Sequence, residues 1–148
     1  MASYLPKAPV LIERTFKSPI DTVWKAITDV HQMKQWFIKE MESFEPKVGF
    51  ETRAFVQCEG KPQKVLTLNV TEVTPGQRIA YSWRIEGKPG ESHVVIELFA
   101  EGAKTRLKLT HTGLESHRPE QYPDLSREGF FRGWTDLIGE SLKQFLEG

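Results

Sequence analysis

The chain is predicted to belong to the α+β class, a curved antiparallel sheet of about seven strands wrapped on a long C-terminal helix, and three observations predict it. The order of elements is one strand, two short helices, six strands and one long helix. The middle strands alternate apolar and polar residues with period two, and the last twenty or so residues carry one apolar stripe at helical spacing. An antiparallel sheet with a single covered face gives the first pattern, and an amphipathic helix that covers it gives the second.

Val10 to Phe16, VLIERTF, is rich in β-formers and ends at Ser18-Pro19, where a serine cap followed by proline at the first helical position starts a helix. Ile20, Val23, Trp24 and Ile27 then recur at three- and four-residue spacing to a helix end near Asp29. A second short helix, Val30 to Phe37, follows, bearing Met33, Trp36 and Phe37, an apolar group too large to leave in water without reason. Beyond Met41 the signals are turns at Val48-Gly49, Glu59-Gly60, Pro75-Gly76, Gly87-Lys88-Pro89-Gly90 and Glu101-Gly102. They separate strands over Gly49–Glu59, Gln63–Val73, Arg78–Ile85, Ser92–Ala100 and Lys104–Thr112, with a short one near Glu42–Pro46. Ile79, Tyr81, Trp83 and Ile85 share one side of their strand, and Ala80, Ser82 and Arg84 share the other, which is expected to be wet. Val94, Ile96 and Leu98, then Leu107, Leu109 and His111, continue the apolar face.

Leu114 to Leu125, with two prolines and His117, is read as a loop. From Ser126 the spacing of Phe130, Trp134, Leu137, Ile138, Leu142, Phe145 and Leu146 predicts a helix of about six turns. Gly129, Gly133 and Gly139 each cost such a helix about 1 kcal/mol relative to alanine. Gly129 and Gly133 lie one turn apart, which would let a strand or a ligand approach the backbone, unless they are merely tolerated.

The totals bound the function. At 148 residues one domain spanning 1–148 is expected. Twenty basic against twenty acidic residues leave no field to draw in nucleic acid or an anionic membrane. The single cysteine, Cys58, allows no internal disulfide, fits a reducing compartment such as the cytoplasm, and is expected to be a small buried hydrophobe. Met1 to Pro9 has no charged stretch followed by an apolar one, and no run of about 18 apolar residues occurs, so neither a signal peptide nor a membrane span is expected. Four Trp and nine Phe make a heavy aromatic load of the kind that lines ligand pockets.

SPIDTVWKAITD followed by MKQWF, VTPGQRIAYSW, and LTHTGL followed by FFRGWTDLIGESLKQFLEG resemble the opening helix pair, central hairpin and closing strand and helix of the START-like superfamily, also called Bet v-like or SRPBCC. Together these segments span nearly the whole chain. Within it the match is to the branch named after the activator of the 90-kDa heat-shock chaperone's ATPase. The resemblance implies a helix-grip fold with an apolar cavity between the inner sheet face and the last helix. Side chains implied to line it are Trp36 and Phe37 from the short helices, Tyr81, Trp83, Ile96, Leu109 and His111 from strands, and Phe130, Trp134 and Leu137 from the last helix. The polar tips of Tyr81, His111 and the tryptophans would orient a ligand or satisfy one another.

The expected function is therefore binding of a small hydrophobic molecule, without a cofactor. Two alternatives stand beside it: a chaperone-linked interaction protein, with Met33–Phe37 and Leu114–Leu125 as its working surface, and an enzyme of the cyclase or aromatase type known in the superfamily. The namesake's separate N-terminal domain has no counterpart in these residues, which turns the expectation away from chaperone stimulation. Catalytic signals are sparse. His111 alone of the four histidines is placed on the inward face, with no partner identifiable, while His31, His93 and His117 lie scattered without metal-ligand spacing. Glu72 and Glu97 are read as members of a solvated face, and no nucleophile elbow, phosphate loop or dinucleotide fingerprint occurs.

Overall fold

The computed structural model describes residues 8–57, 60 and 63–148. Its order is β1 (Val10–Phe16), α1 (Ile20–Thr28), α2 (Val30–Trp36), β2 (Glu40–Met41), β3 (Glu51–Val56), β4 (Lys64–Thr74), β5 (Arg78–Ile85), β6 (Ser92–Glu101), β7 (Lys104–Thr112), α3 (Arg127–Asp136) and α4 (Lys143–Glu147). A π-helical segment, Leu137–Leu142, joins α3 to α4, and the backbone at both junctions stays right-handed helical, so 127–147 is one continuous rod. The seven strands form one antiparallel sheet in the order β1-β7-β6-β5-β4-β3-β2. The helix-grip fold of the α+β class is thus the observed one.

Period two decides which side chains fill the core. Ile79, Tyr81, Trp83 and Ile85 of β5, Leu66, Leu68 and Val70 of β4, and Leu107, Leu109 and His111 of β7 all turn inward and are buried. Trp134, Ile138 and Leu142 of the closing helix are buried against the same face. Val23 and Ile27 of α1 are also fully buried, each such side chain contributing roughly 1.5–3 kcal/mol relative to exposure.

The structure corrects several expectations. Ser18 does not cap α1. Its carbonyl accepts the Thr105 hydroxyl at 2.7 Å inside the core, and Pro19 takes the cap position. Asp29 ends α1 and its carboxylate accepts the Gln32 N–H at 3.3 Å, starting α2. No strand forms over Glu42–Pro46, because the short edge strand lies earlier, at Glu40–Met41, paired with Phe55 and Ala54. The outer face of β5 is not uniformly wet, since Ala80 and Ser82 are buried among longer neighbours: Val95 and Glu72 flank the first, His93 and Asn69 the second. Cys58, whose burial was expected, lies outside the described residues.

The segment 114–125 is no simple loop. It folds into two 3-10 turns, Leu114–His117 and Pro123–Leu125, and buries Leu114, His117 and Leu125. Gly90 makes this possible. At φ +89° it runs so close to the first turn that a Cβ would lie 2.2 Å from the Ser116 carbonyl oxygen. The Ser116 hydroxyl accepts the Glu91 N–H at 3.0 Å and tightens the join.

Candidate functional site

The inner face of the sheet is not filled to its end. Where β3 finishes, β4 begins and β5 finishes, Val56, Lys64, Leu66, Trp83 and Ile85 lie side by side in register, Val56 opposite Lys64 and Leu66 opposite Ile85. Facing them across a cleft of about 280 Å³ are Asp124, Leu125, Gly129, Phe130, Gly133, Trp134 and Leu137. A second lobe of about 400 Å³ adjoins it, walled by Phe37 to Glu40, Phe55 to Gln57, Leu66, Trp83 and Leu137. The lobes share Val56, Leu66, Trp83 and Leu137. One lobe lies near the lower edge of the usual small-molecule range of about 300–1,000 Å³, and the two together lie inside it.

The helical glycines differ in what they do. A Cβ on Gly129 would come within 3.1 Å of the Asp124 carbonyl oxygen and 3.3 Å of the Ser126 hydroxyl, which caps α3 by accepting the Gly129 N–H at 3.0 Å. That glycine serves the packing of its own turn. A Cβ on Gly133 would meet nothing within 4 Å. It is exposed at the edge of the cleft, with open space beside its backbone. Gly139 backs onto the Arg14 guanidinium and plays no part in the cleft.

Of the residues expected to line a cavity, Trp83, Phe130, Trp134 and Leu137 wall the first lobe, and Phe37, Trp83 and Leu137 wall the second. The rings pack as a set: Trp83 meets Trp134 at 5.5 Å and Phe130 at 6.2 Å, both edge-on, while Phe37 stacks on Trp134 at 5.7 Å. The other expected residues stand behind the walls. Trp36 stacks on Phe37 at 5.3 Å, but its indole N–H points to the Ala26 carbonyl at 2.7 Å and fixes α2 to α1. Tyr81 packs edge-on against Phe44 at 6.2 Å in closed core, where burial pushes its phenol well above the usual range. Ile96 and Leu109 face each other across β6 and β7, farther along the strands, and are sealed from solvent.

His111 likewise lies behind the wall rather than on it, and it does have partners. Its Nδ1 accepts the Trp134 indole N–H at 2.9 Å, and its Nε2 is 2.7 Å from the Ser92 hydroxyl. His117, expected in a loop, is fully buried with Nε2 at 2.8 Å from the same hydroxyl and Nδ1 at 2.9 Å from the Pro89 carbonyl. Desolvation, with smaller effects of His117 and His93, lowers the His111 pKa to about 3. His111 is therefore neutral at physiological pH and is no acid for neutral-pH chemistry. Trp83 is the opposite case, because its buried indole N–H finds no hydrogen-bond partner among the described residues. A buried donor left unpaired costs about 1–3 kcal/mol.

The two segments expected to form an interaction surface keep polar residues such as Lys34, Gln35, Glu115 and Arg118 exposed, but turn several apolar side chains inward. Met33 and Trp36 are buried in the core, and Leu114, His117 and Leu125 are buried beneath the 3-10 turns. Glu72 and Glu97 converge on Arg78, at 3.3 and 2.8 Å, as a partly exposed ion-pair cluster on the outer face. No group of three metal-ligating side chains occurs among the described residues, and none of the described helices is long and apolar enough to cross a membrane.

With this geometry established, the family profile described as activator of Hsp90 ATPase homolog 1-like protein matches residues 17–147, from the end of β1 through the closing helix. The chain belongs to that family. Solved structures share the fold. Protein CV1439 from Chromobacterium violaceum superposes with TM-score 0.81 over 97% of this chain and 99% of its own, at 18% identity, which speaks for the fold alone. MLL2253 from Mesorhizobium loti matches at 25% identity and TM-score 0.77, covering 94% of this chain and 96% of its own. DynU16, a protein of the dynemicin biosynthetic locus, matches at 25% identity and TM-score 0.77 over 96% of this chain, which spans only 48% of DynU16. No curated protein is similar enough in sequence to be matched.

Proposed function

We propose that this member of the activator of Hsp90 ATPase homolog 1-like family binds a small, mainly apolar molecule in the cleft between the β3–β5 end of the sheet and α3. The observation that carries the reading is the unfilled, ring-walled space at Gly133, walled by Trp83, Phe130 and Trp134. Apolar walls supply affinity through buried area. The fold-level likeness to DynU16 is consistent with a role around small molecules, and the fold itself decides nothing about chemistry.

Catalysis is the second reading and has less behind it. His111, the one histidine expected on the inward face, already spends both ring nitrogens on protein partners and is held neutral.

Titration with the neutral fluorescent probe N-phenyl-1-naphthylamine tests the binding reading. Saturable enhancement by the parent protein, abolished in Gly133→Leu while thermal unfolding stays cooperative, is expected. Equal binding by parent and variant would place the probe elsewhere and refute the site.

A further inference from the structure

Behind the cleft wall the polar groups form a chain whose proton positions can be assigned group by group. An indole N–H can only donate, so the His111 Nδ1 that receives it at 2.9 Å carries no proton. A neutral imidazole then holds its proton on Nε2, which donates to the Ser92 Oγ at 2.7 Å. At the far end the Pro89 carbonyl can only accept, so His117 Nδ1 carries the proton and donates at 2.9 Å. Its Nε2 is bare and accepts the Ser92 hydroxyl proton at 2.8 Å. The four bonds run one way, from Trp134 through His111, Ser92 and His117 to Pro89. Each ring nitrogen and the hydroxyl proton is used once, and the Ser92 oxygen accepts one bond. Ser92, His111 and His117 are all fully shielded from solvent.

Two of the rings that wall the cleft rest on this chain. Trp134 is its first donor. Phe130 meets His111 edge-on at 4.8 Å and stacks on His117 at 6.0 Å with 28° between the planes. The titratable groups acting on His111 are His117, from the 3-10 turn, and His93, from β6. The remaining elements packed on it present Trp83 from β5, Phe130 and Trp134 from α3, and Val10 from β1, none of which titrates near neutrality. A second proton has no place on His111. On Nδ1 it would face the Trp134 N–H.

We propose that Ser92, His111 and His117 are positioning residues of the cleft: their one-directional hydrogen-bond chain seats Trp134 and Phe130 in its wall, and binding of an apolar ligand depends on the chain being intact. This role rests on the binding reading above. Ser92 lines neither lobe, so a change there reaches the cleft only through the chain. The rigid wall lowers the ordering cost of binding, which is how a residue without ligand contact changes affinity.

The test has two arms. On the unaltered, ligand-free protein, side-chain ¹⁵N spectra are expected to show His111 protonated on Nε2 and His117 protonated on Nδ1. Either opposite tautomer overturns the chain, whatever any variant does. In the second arm Ser92→Ala is expected to shift the Trp134 indole resonance, although Ser92 is not its partner, while Trp24 and Trp36 hold theirs. The same variant should bind N-phenyl-1-naphthylamine about tenfold more weakly, the equivalent of one net hydrogen bond. A Ser92→Ala protein that unfolds cooperatively, leaves the Trp134 resonance in place and binds like the parent overturns the proposal. Absence of saturable binding by the parent, with the expected tautomers present, overturns this role together with the binding reading. Reversed tautomers in a parent that binds overturn the chain alone.

Discussion

Lowering the pH from 7 to 5 is expected to cost the folded state about 2 kcal/mol through His111 alone. In the folded chain, burial holds this imidazole at a pKa of about 3, against an ordinary value of 6.5. The folded value is lowered, so between those two values the unfolded chain binds a proton that the folded chain refuses. Stability from this group is complete above about 6.5, falls as the pH drops through the window, and levels off below about 3. Well inside the window the slope approaches about 1.4 kcal/mol per pH unit, and the curvature near 6.5 brings the loss between pH 7 and 5 to about 2 kcal/mol. Urea unfolding at pH 7, 6 and 5 of the parent and of His111→Phe isolates the contribution, because the exposed carboxylates are common to both. The parent profile should fall more steeply by that amount. A His111 ring resonance that titrates near pH 6.5 in the folded protein, or parallel profiles for parent and variant, would refute the reasoning.

Three further substitutions probe the framework around the cleft. Gly133→Ala should stabilise the protein by up to about 1 kcal/mol, or roughly 2–4 °C in thermal midpoint, because the helix gains propensity and the new methyl meets nothing within 4 Å. Gly90→Ala should destabilise by at least about 2 kcal/mol in denaturant unfolding, since φ is +89° and the Cβ would overlap the Ser116 carbonyl. Trp36→Phe should cost roughly 1–3 kcal/mol by the same assay, as it leaves the Ala26 carbonyl without its 2.7 Å donor, and should leave probe affinity near the parent value.

Much of this molecule is legible in the sequence because periodicity reports faces directly. Trp83 falls on the apolar side of β5 and Phe130, Trp134 and Leu137 on one stripe of the closing helix, and all four reach the cleft. Periodicity reports no depth along a strand, however. Tyr81, Ile96 and Leu109 share their inward face with Trp83 yet lie where the core is closed, so a shared face does not make a shared wall. His117 was hidden for a different reason. Its segment has no period because it folds as 3-10 turns, and its burial depends on Gly90 letting a distant hairpin loop approach. Ser92, at the first position of β6, looks like any strand-start serine until the two histidines converge on it from residues 111 and 117. The glycine at 133, by contrast, carried a readable signal, a helix-breaking cost repeated one turn after Gly129. The structure separates the two uses that the spacing left together.

The π-helical segment had no signal either, since Leu137 to Leu142 keeps the apolar stripe of an ordinary helix. Such segments often occur at functional sites. Here it begins at Leu137, which walls both lobes, and it carries the Ser141 hydroxyl to the Trp36 carbonyl at 2.7 Å, tying the rod to α2.

The account stands on the claim that a ligand enters between Trp83 and α3. The indole resonances of the four tryptophans, followed in a ¹H–¹⁵N spectrum during titration with N-phenyl-1-naphthylamine, test it most directly. Trp83 and Trp134 are expected to move together and saturate, while Trp24 and Trp36 stay in place. Saturation accompanied by movement of Trp24 or Trp36 alone, or no saturable movement of Trp83 at all, would contradict it.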